Sequence, residues 1–414
     1  MYSKYNYLAS SGVYDILADV VLILTGTTNV ATLSAACDDA NTTIANTYAN
    51  AGWTVHDDTA NSLGTVTFTN GTDIVNKTAH GLVANEKVSF TTTGGMPTGL
   101  SVNTTYYVKT PNGNDFQLSA TAGGAAIDFT TDGTATTTLW SGRRQILKAA
   151  VADDAAFYKY LGVDTVTANQ ITLALYESWN ATTHTATNQS NALAANRQQR
   201  INTTSGGTLH ISSSARHCLM LSITSDGVGS SLATYGNEWT GVFERTRLAP
   251  WDTTTAAYPP TVLVTGGNFG VYNTSNPISW YAPRIKNPAG GDLTGVSAPM
   301  EPVCLGWSFK LGQGVAMQNG MTSANNLSGA IVTKIPDGLG GFKCPFTEIF
   351  TRNPEQSFEG GSCSALSDVW LTVGYAQNLD EVAKDGKTYI LWQNNMQSTA
   401  ITNAGSANIA IPKG

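Results

Sequence analysis

At 414 residues and 43.5 kDa the chain is long enough for two or three domains with cores of their own, while a charged fraction of 12% is about half that of an ordinary soluble domain. A net charge of −7, a pI near 5.2 and no basic run exclude a phosphate-neutralising nucleic-acid surface. With 41 glycines among abundant Thr, Asn and Ser, the composition favours short strands joined by many turns, so the expected fold is mainly β and multidomain.

The first pattern in chain order is helical. Ile16, Leu17, Val20, Val21 and Leu24 form one stripe, and Leu33, Cys37, Ala40, Ile44 and Tyr48 form a second, which predicts two short antiparallel helices between Gly12 and Gly52. Gly26 suits the stop of the first helix, and Thr32 or Ser34 suits the cap of the second. Val13 to Leu24 is too short for a bilayer crossing and carries Asp15 and Asp19, so an amphipathic helix is expected and a membrane partner is not. A secretory leader is not expected either, because the start lacks basic residues.

After Gly52 the period changes to two, beginning with Trp53 and Val55. Strand-like segments bounded by Gly, Asn or Pro then run at Thr65 to Phe68, Lys87 to Thr91, Thr105 to Lys109, Phe116 to Ser119 and Ala126 to Thr130. They predict a small inserted all-β module, barrel or sandwich, over residues 64–141, with Val66, Phe68, Val88, Phe90, Tyr107, Phe116, Leu118 and Ile127 inside. With the module removed, Gly52 to Asp58 and Arg143 to Ala149 make a plausible pair of adjacent strands. Residues 1–63 plus 142–204 are therefore expected to form an N-terminal α+β domain. Residues 205–414 are expected to form a larger β-sandwich-like domain, in which Leu219, Leu221 and Ile223 alternate as a half-buried strand.

Residues Thr78 to Ile127 resemble a β-module that recurs in tailed-phage virion proteins and is itself similar to a small β-domain of ubiquitin-activating enzymes. The resemblance rests on His80-Gly81-Leu82, Val88-x-Phe90, Pro97-x-Gly99-Leu100, Thr105-Tyr106-Tyr107-Val108, Phe116-x-Leu118-Ser119 and Gly123-Gly124. Phage copies often carry Gly-Asp before the Val-x-Phe strand, where this chain has Asn85-Glu86-Lys87. The whole module is about a fifth of the chain. Segments Leu173 to Gln189, Ile211 to Ile223 and Gly241 to Val262 also look like virion proteins of tail and neck gene clusters. The resemblance implies a structural protein of the virion and implies nothing about ubiquitin chemistry.

No catalytic signature accompanies these patterns: His-Glu-x-x-His, Gly-x-Ser-x-Gly, the phosphate-binding loop and a clean dinucleotide fingerprint are all missing from the sequence. His56, Asp57 and Asp58 invite a metal or acid/base reading, but neighbours on a strand face opposite ways, so a strand-end turn is expected. Asp38-Asp39 and Asp153-Asp154 lack the calcium-loop pattern and read as solvated or capping residues. His210 and Arg216 would share a strand face, with His217 opposed. His80 reads as part of a structural turn. The five cysteines, Cys37, Cys218, Cys304, Cys344 and Cys363, are odd in number and widely spaced, and read as buried thiols.

The expectation is thus a non-enzymatic virion component without cofactor or metal, assembled in the host bacterial cytoplasm as a neck, collar, tail or capsid-decorating protein. Its expected partners are other copies of itself, in a trimer or cyclic ring, and neighbouring virion proteins. Arg216, Glu244, Arg245, Arg247, Trp251 and Tyr258 are the expected interface residues, because Arg and aromatic anchors dominate such contacts. A receptor-binding fibre whose Trp179, Trp239, Trp251 and Trp280 stack on host-surface glycan is the alternative, and a glycan-cleaving tail enzyme is a third.

Overall fold

The computed structural model of the chain describes residues 2–8, 12–26, 37–38, 53–149, 160–165, 170–189, 200–202, 206–214, 217–224, 237–243, 245–246, 263–268, 301–304, 335–336, 342–343, 346–352, 364–374, 380–393 and 406–413. The fold is mainly β, with several sheets and one helix among the described residues.

The chain begins with strand β1 (Tyr2–Tyr7) and helix α1 (Val13–Thr25). Gly26 ends the helix at φ 92°, the left-handed conformation that glycine adopts without steric penalty, and its N–H bonds back to Ile23 and Leu22. All five residues of the first apolar stripe are buried, but so are Tyr14, Asp19 and Ile23. The helix is therefore enclosed on more sides than its expected amphipathic pattern requires. The buried Asp19 accepts a 2.7 Å hydrogen bond from Tyr5 Oη, which replaces the water it was expected to face. Strand β2 (Cys37–Asp38) pairs with Asn6 and Tyr7 of β1, so these two residues of the expected second helix are strand; the rest of its stripe lies outside the described residues.

Strand β3 (Trp53–Asp57) leads into a closed six-stranded barrel formed by β4 (Asn61–Thr69), β5 (Ile74–Asn76), β6 (Lys87–Thr92), β7 (Tyr106–Lys109), β8 (Asp115–Ser119) and β9 (Thr137–Ser141). Closure comes from β9, which pairs with both β4 and β6. Val66, Phe68, Val75, Val88, Phe90, Tyr106, Val108, Phe116, Leu118, Phe129 and Leu139 fill the interior. Tyr106 is the inward tyrosine, where Tyr107 was expected, and Ile127 is only half-buried. The expected strand at Ala126 to Thr130 is reduced to one bridge between Ser119 and Ala126.

Strand β10 (Arg144–Ala149) then pairs antiparallel with β3, on the opposite side of the barrel in sequence. It continues a sheet through β11 (Tyr160–Asp164), β12 (Gln170–Asn180), β13 (Thr185–Gln189) and β14 (Arg200–Asn202), with β13 and β14 both paired to β12. A second sheet is built by β15 (Gly207–Ser214), β16 (His217–Thr224), β17 (Asn237–Phe243) and, beyond β18 (Arg245–Thr246), β19 (Leu263–Asn268). On its other side β1 pairs with β15 along its length, and β2 lies beyond β1 at the edge.

Helix α1 sits in the core shared by these two sheets. Ile16, Leu17, Val20 and Leu24 pack with Trp53, Leu147, Leu161, Val163 and Ile171 of one sheet and Tyr5, Leu209, Ile211, Cys218 and Met220 of the other. At roughly 25 cal/mol per Å² of apolar surface, each such side chain contributes about 2 kcal/mol on burial, which outweighs the modest propensity of a short helix. Trp53 Nε1 also donates to Ser213 Oγ at 2.9 Å across the core.

The third sheet comes from the chain's last part: β20 (Glu301–Cys304), the small separate pair β21 (Ile335–Pro336) and β22 (Phe342–Lys343), then β23 (Phe346–Arg352), β24 (Ser364–Gly374), β25 (Glu381–Lys384), β26 (Lys387–Gln393) and β27 (Ser406–Pro412). The sheet order is β20, β23, β24, β27, β26, β25, with β18 also on β24. Tyr389, Leu391 and Ala410 form its described core.

Candidate functional site

Among the described residues, a cluster of buried polar side chains lies where the chain leaves the β3–β10 pair to make the barrel and returns from it. Two short segments, residues 58–60 and 142–143, cross this junction. Each is tied to the other side by backbone bonds: Ala60 N to Arg144 O at 2.9 Å, Gly142 N to Lys87 O at 2.8 Å, and Thr165 N to Arg143 O at 2.7 Å. Gly142 is closely approached: a Cβ there would meet Tyr14 Oη at 3.1 Å and Asp58 O and Lys87 Cβ at 3.2 Å, so those neighbours would have to shift by a few tenths of an ångström.

At the end of β3, Asp57 turns inward and is buried. Its Oδ2 accepts Trp179 Nε1 and pairs with His184 Nδ1, each at 2.7 Å, and its Oδ1 accepts Thr59 N at 3.1 Å. Trp179 comes from β12. His184 is placed by the turn that follows, where Asn180 Oδ1 accepts the N–H groups of Thr182 and Thr183 and His184 itself adopts φ 51°. From the barrel, the Trp140 ring lies over His184 with centroids 4.2 Å apart and planes tilted by 34°. Three donors therefore converge on one carboxylate, and Trp140 covers one of them. The facing carboxylate places the proton of the His184 ring on Nδ1, and the buried Nε2 has no hydrogen-bond partner.

A second group of contacts surrounds the first. Glu86, fully buried, accepts Arg143 Nε at 2.9 Å and Val83 N at 3.1 Å, and Arg143 also reaches Gly81 O. Burial raises the Glu86 carboxyl above its ordinary range against the pull of Arg143. Lys87 pairs with Asp58 at 3.0 Å, and Thr105 Oγ1 donates to the same carboxylate at 2.9 Å. Tyr14 of α1 accepts the Lys87 N–H at 2.9 Å, and burial pushes its phenol far up, so it stays neutral. Thr59 and Ser89 hydroxyls meet at 2.7 Å.

No hydroxyl or thiol is hydrogen-bonded to His184 Nε2, and no group of three metal-ligating side chains occurs among the described residues. The cluster ties the barrel to helix α1 and the β3–β10 sheet, since its hydrogen bonds and ion pairs form in one mutual orientation of the three.

His56, Asp57 and Asp58 go three separate ways. His56 lies against the Tyr160 ring at 4.8 Å with Nε2 3.3 Å from Trp179 O, while Asp57 and Asp58 serve the two contact groups just described. Val55, in period with the buried Trp53, is exposed, and a register irregularity follows it between Val55 and Asp57. His80 is buried in a turn, its Nδ1 accepting Leu82 N at 2.9 Å. His210 and His217 sit on neighbouring strands, opposite Leu221 and Ser214, rather than on one strand. Trp179, which the fibre alternative would expose to glycan, is buried and bonded to Asp57. Of the expected interface residues, Arg245 has only its backbone described, in β18. Arg216, Glu244, Arg247, Trp251 and Tyr258 lie outside the described residues, as do Trp280 and Asp153-Asp154.

Asp57, which organises the junction, has the sequence pattern of a strand-end turn. His184 belongs to no sequence motif, and its signal in the sequence is its position after a strand carrying Trp179.

No protein-family model and no curated protein matches the chain. Among solved structures it is similar to "Phage phi92 endosialidase", at 10% identity and a TM-score of 0.16, over 86% of this chain and 51% of that one. The chain thus spans about half the length of that protein. A superposition at that score is not a shared fold, and neither architecture nor activity is transferred from it.

Proposed function

We propose that this chain is a structural component of a tailed-phage virion, of the neck, collar, tail or capsid-decorating kind, which works by self-assembly and docking rather than by catalysis. The observation that carries this reading is the segment Thr78 to Ile127, whose sequence resembles the phage β-module and which supplies three of the six strands of a closed barrel set between two paired strands. Closure leaves the barrel no free strand edge to aggregate. Its seating by buried carboxylates gives a module of fixed orientation, as a repeating shell or ring contact requires. Low charge and abundant Thr and Asn fit a surface largely used in contacts.

Locating the chain in a reconstruction of intact particles, with mass spectrometry of the purified virion, tests the proposal. It expects the chain in symmetric copies whose removal costs assembly or particle stability. The chain found only as a free monomer outside particles would sink it. So would hydrolysis of host polysaccharide by the purified protein that is lost on mutating one buried carboxylate.

A further inference from the structure

Two Asn-Gly pairs fall on exposed barrel loops, Asn70-Gly71 between β4 and β5 and Asn112-Gly113 before β8. Glycine after asparagine leaves the following backbone nitrogen unshielded, so both are chemically open to self-modification in water. The sequence does not separate them. Their surroundings do.

Asn112 is held at both ends of its amide. Its Oδ1 accepts Asn114 N at 2.8 Å and Asp115 N at 3.0 Å, and its Nδ2 donates to Asp115 Oδ1. Attack at Cγ must rotate this group and move both atoms, so these bonds must break first. Asn70 has its side chain tied by one long contact, Nδ2 to Thr130 O at 3.5 Å. Gly71 and Gly113 alike have nothing within 4 Å of where a Cβ would stand, so the two sites differ in how the asparagine side chain is held.

We propose that Asn70 is a site of spontaneous deamidation and isoaspartate formation, whose reagent is water. The Gly71 nitrogen loses its proton to solvent base and bonds to Asn70 Cγ; the Cγ–Nδ2 bond breaks and ammonia leaves. The resulting succinimide takes up one water at either carbonyl, giving aspartate or, by transfer of the main chain to the side-chain carboxyl, isoaspartate. No oxidant or reductant is needed.

The product matters to the barrel. Asn70 N donates to Asp132 Oδ1 at 2.6 Å, and nearby Asp73 Oδ1 accepts Phe129 N at 3.1 Å, so this tip is latched to the loop at 128–132. A new carboxylate at position 70 replaces a donor toward Thr130 O and stands beside Asp132, while the isoaspartyl form lengthens the main chain inside the turn. Both products loosen the latch.

The test is incubation of the full chain in mildly alkaline buffer, followed by proteolytic mapping, mass spectrometry and isoaspartate-specific methylation. Asn70 is expected to convert about tenfold faster than Asn112, the margin given by the hydrogen bonds Asn112 must release. In denaturant the two rates should converge, because both share the Asn-Gly sequence. Equal rates in the folded chain, or faster conversion of Asn112, would overturn the proposal. So would an inert Asn70 in the folded chain while both sites convert in denaturant. Asn70→Asp supplies an independent reading: it should raise hydrogen exchange at Phe129 and Asn70, more at low salt than at high, and unchanged exchange would remove the proposed consequence.

Discussion

Replacing Asp57 tests the junction most directly. Its carboxylate serves three donors, Trp179 Nε1, His184 Nδ1 and Thr59 N, in a site closed to solvent. Asp57→Ala leaves all three without their acceptor, and each buried donor stranded in this way costs about 1–3 kcal/mol. Asp57→Asn keeps the shape. With its oxygen turned toward Trp179 and His184, its amide nitrogen faces the Thr59 N–H, so one donor is stranded and charge assistance is lost, for about 2 kcal/mol. Urea unfolding followed by tryptophan fluorescence reads both values, since Trp140 and Trp179 sit in the cluster, and an unchanged m-value certifies that the same transition is compared. A double-mutant cycle of Asp57→Ala with His184→Ala isolates their coupling, expected at about 2 kcal/mol within the 0.5–3 kcal/mol span of residues in direct contact. If Asp57→Ala costs less than about 1 kcal/mol and the coupling falls below about 0.5 kcal/mol, the cluster does not hold the barrel and the reasoning fails.

Three further outcomes are expected. Phe90→Ala removes a fully buried ring that packs edge-on against Phe68 at 5.4 Å, and should destabilise the barrel by about 3–5 kcal/mol, seen as lost amide protection in residues 61–141; protection unchanged there would contradict the assigned core. Because burial raises Glu86 in the folded state, the native chain binds that proton more tightly than the unfolded one. Its contribution is present below the ordinary carboxyl pKa of 4.5 and is lost as pH rises through the higher folded value. Wild type should therefore gain on Glu86→Gln as pH falls through the acid range, and a difference that moves the other way in paired denaturation curves would refute the assignment. Cys218 is fully buried in the core between the sheets, and burial pushes its thiol far up, so it should resist alkylation in the native chain and react once unfolded; rapid labelling of Cys218 under native conditions would place it elsewhere.

The sequence by itself determined what depends on neighbours along the chain. Alternation and turn residues located most barrel strands, the apolar stripe from Ile16 to Leu24 located α1, and Gly26 marked its end, because each is a one-dimensional consequence of backbone period and steric freedom. The pairing of β3 with β10 across the barrel was also legible, since two strand-like runs flank the module. Tertiary structure alone decided the rest. It made β9 the strand that closes the barrel, chose Tyr106 over Tyr107 for the interior, and drew Asp19 into the core by offering it Tyr5. It also joined Asp57 to His184, 127 positions away, and to Trp179, 122 positions away, making a joint from what local period presents as a strand-end turn. The physical reason is the same in each case: a polar group's burial is decided by the partner that folding brings to it, and neither sequence spacing nor side-chain type carries that partner's address.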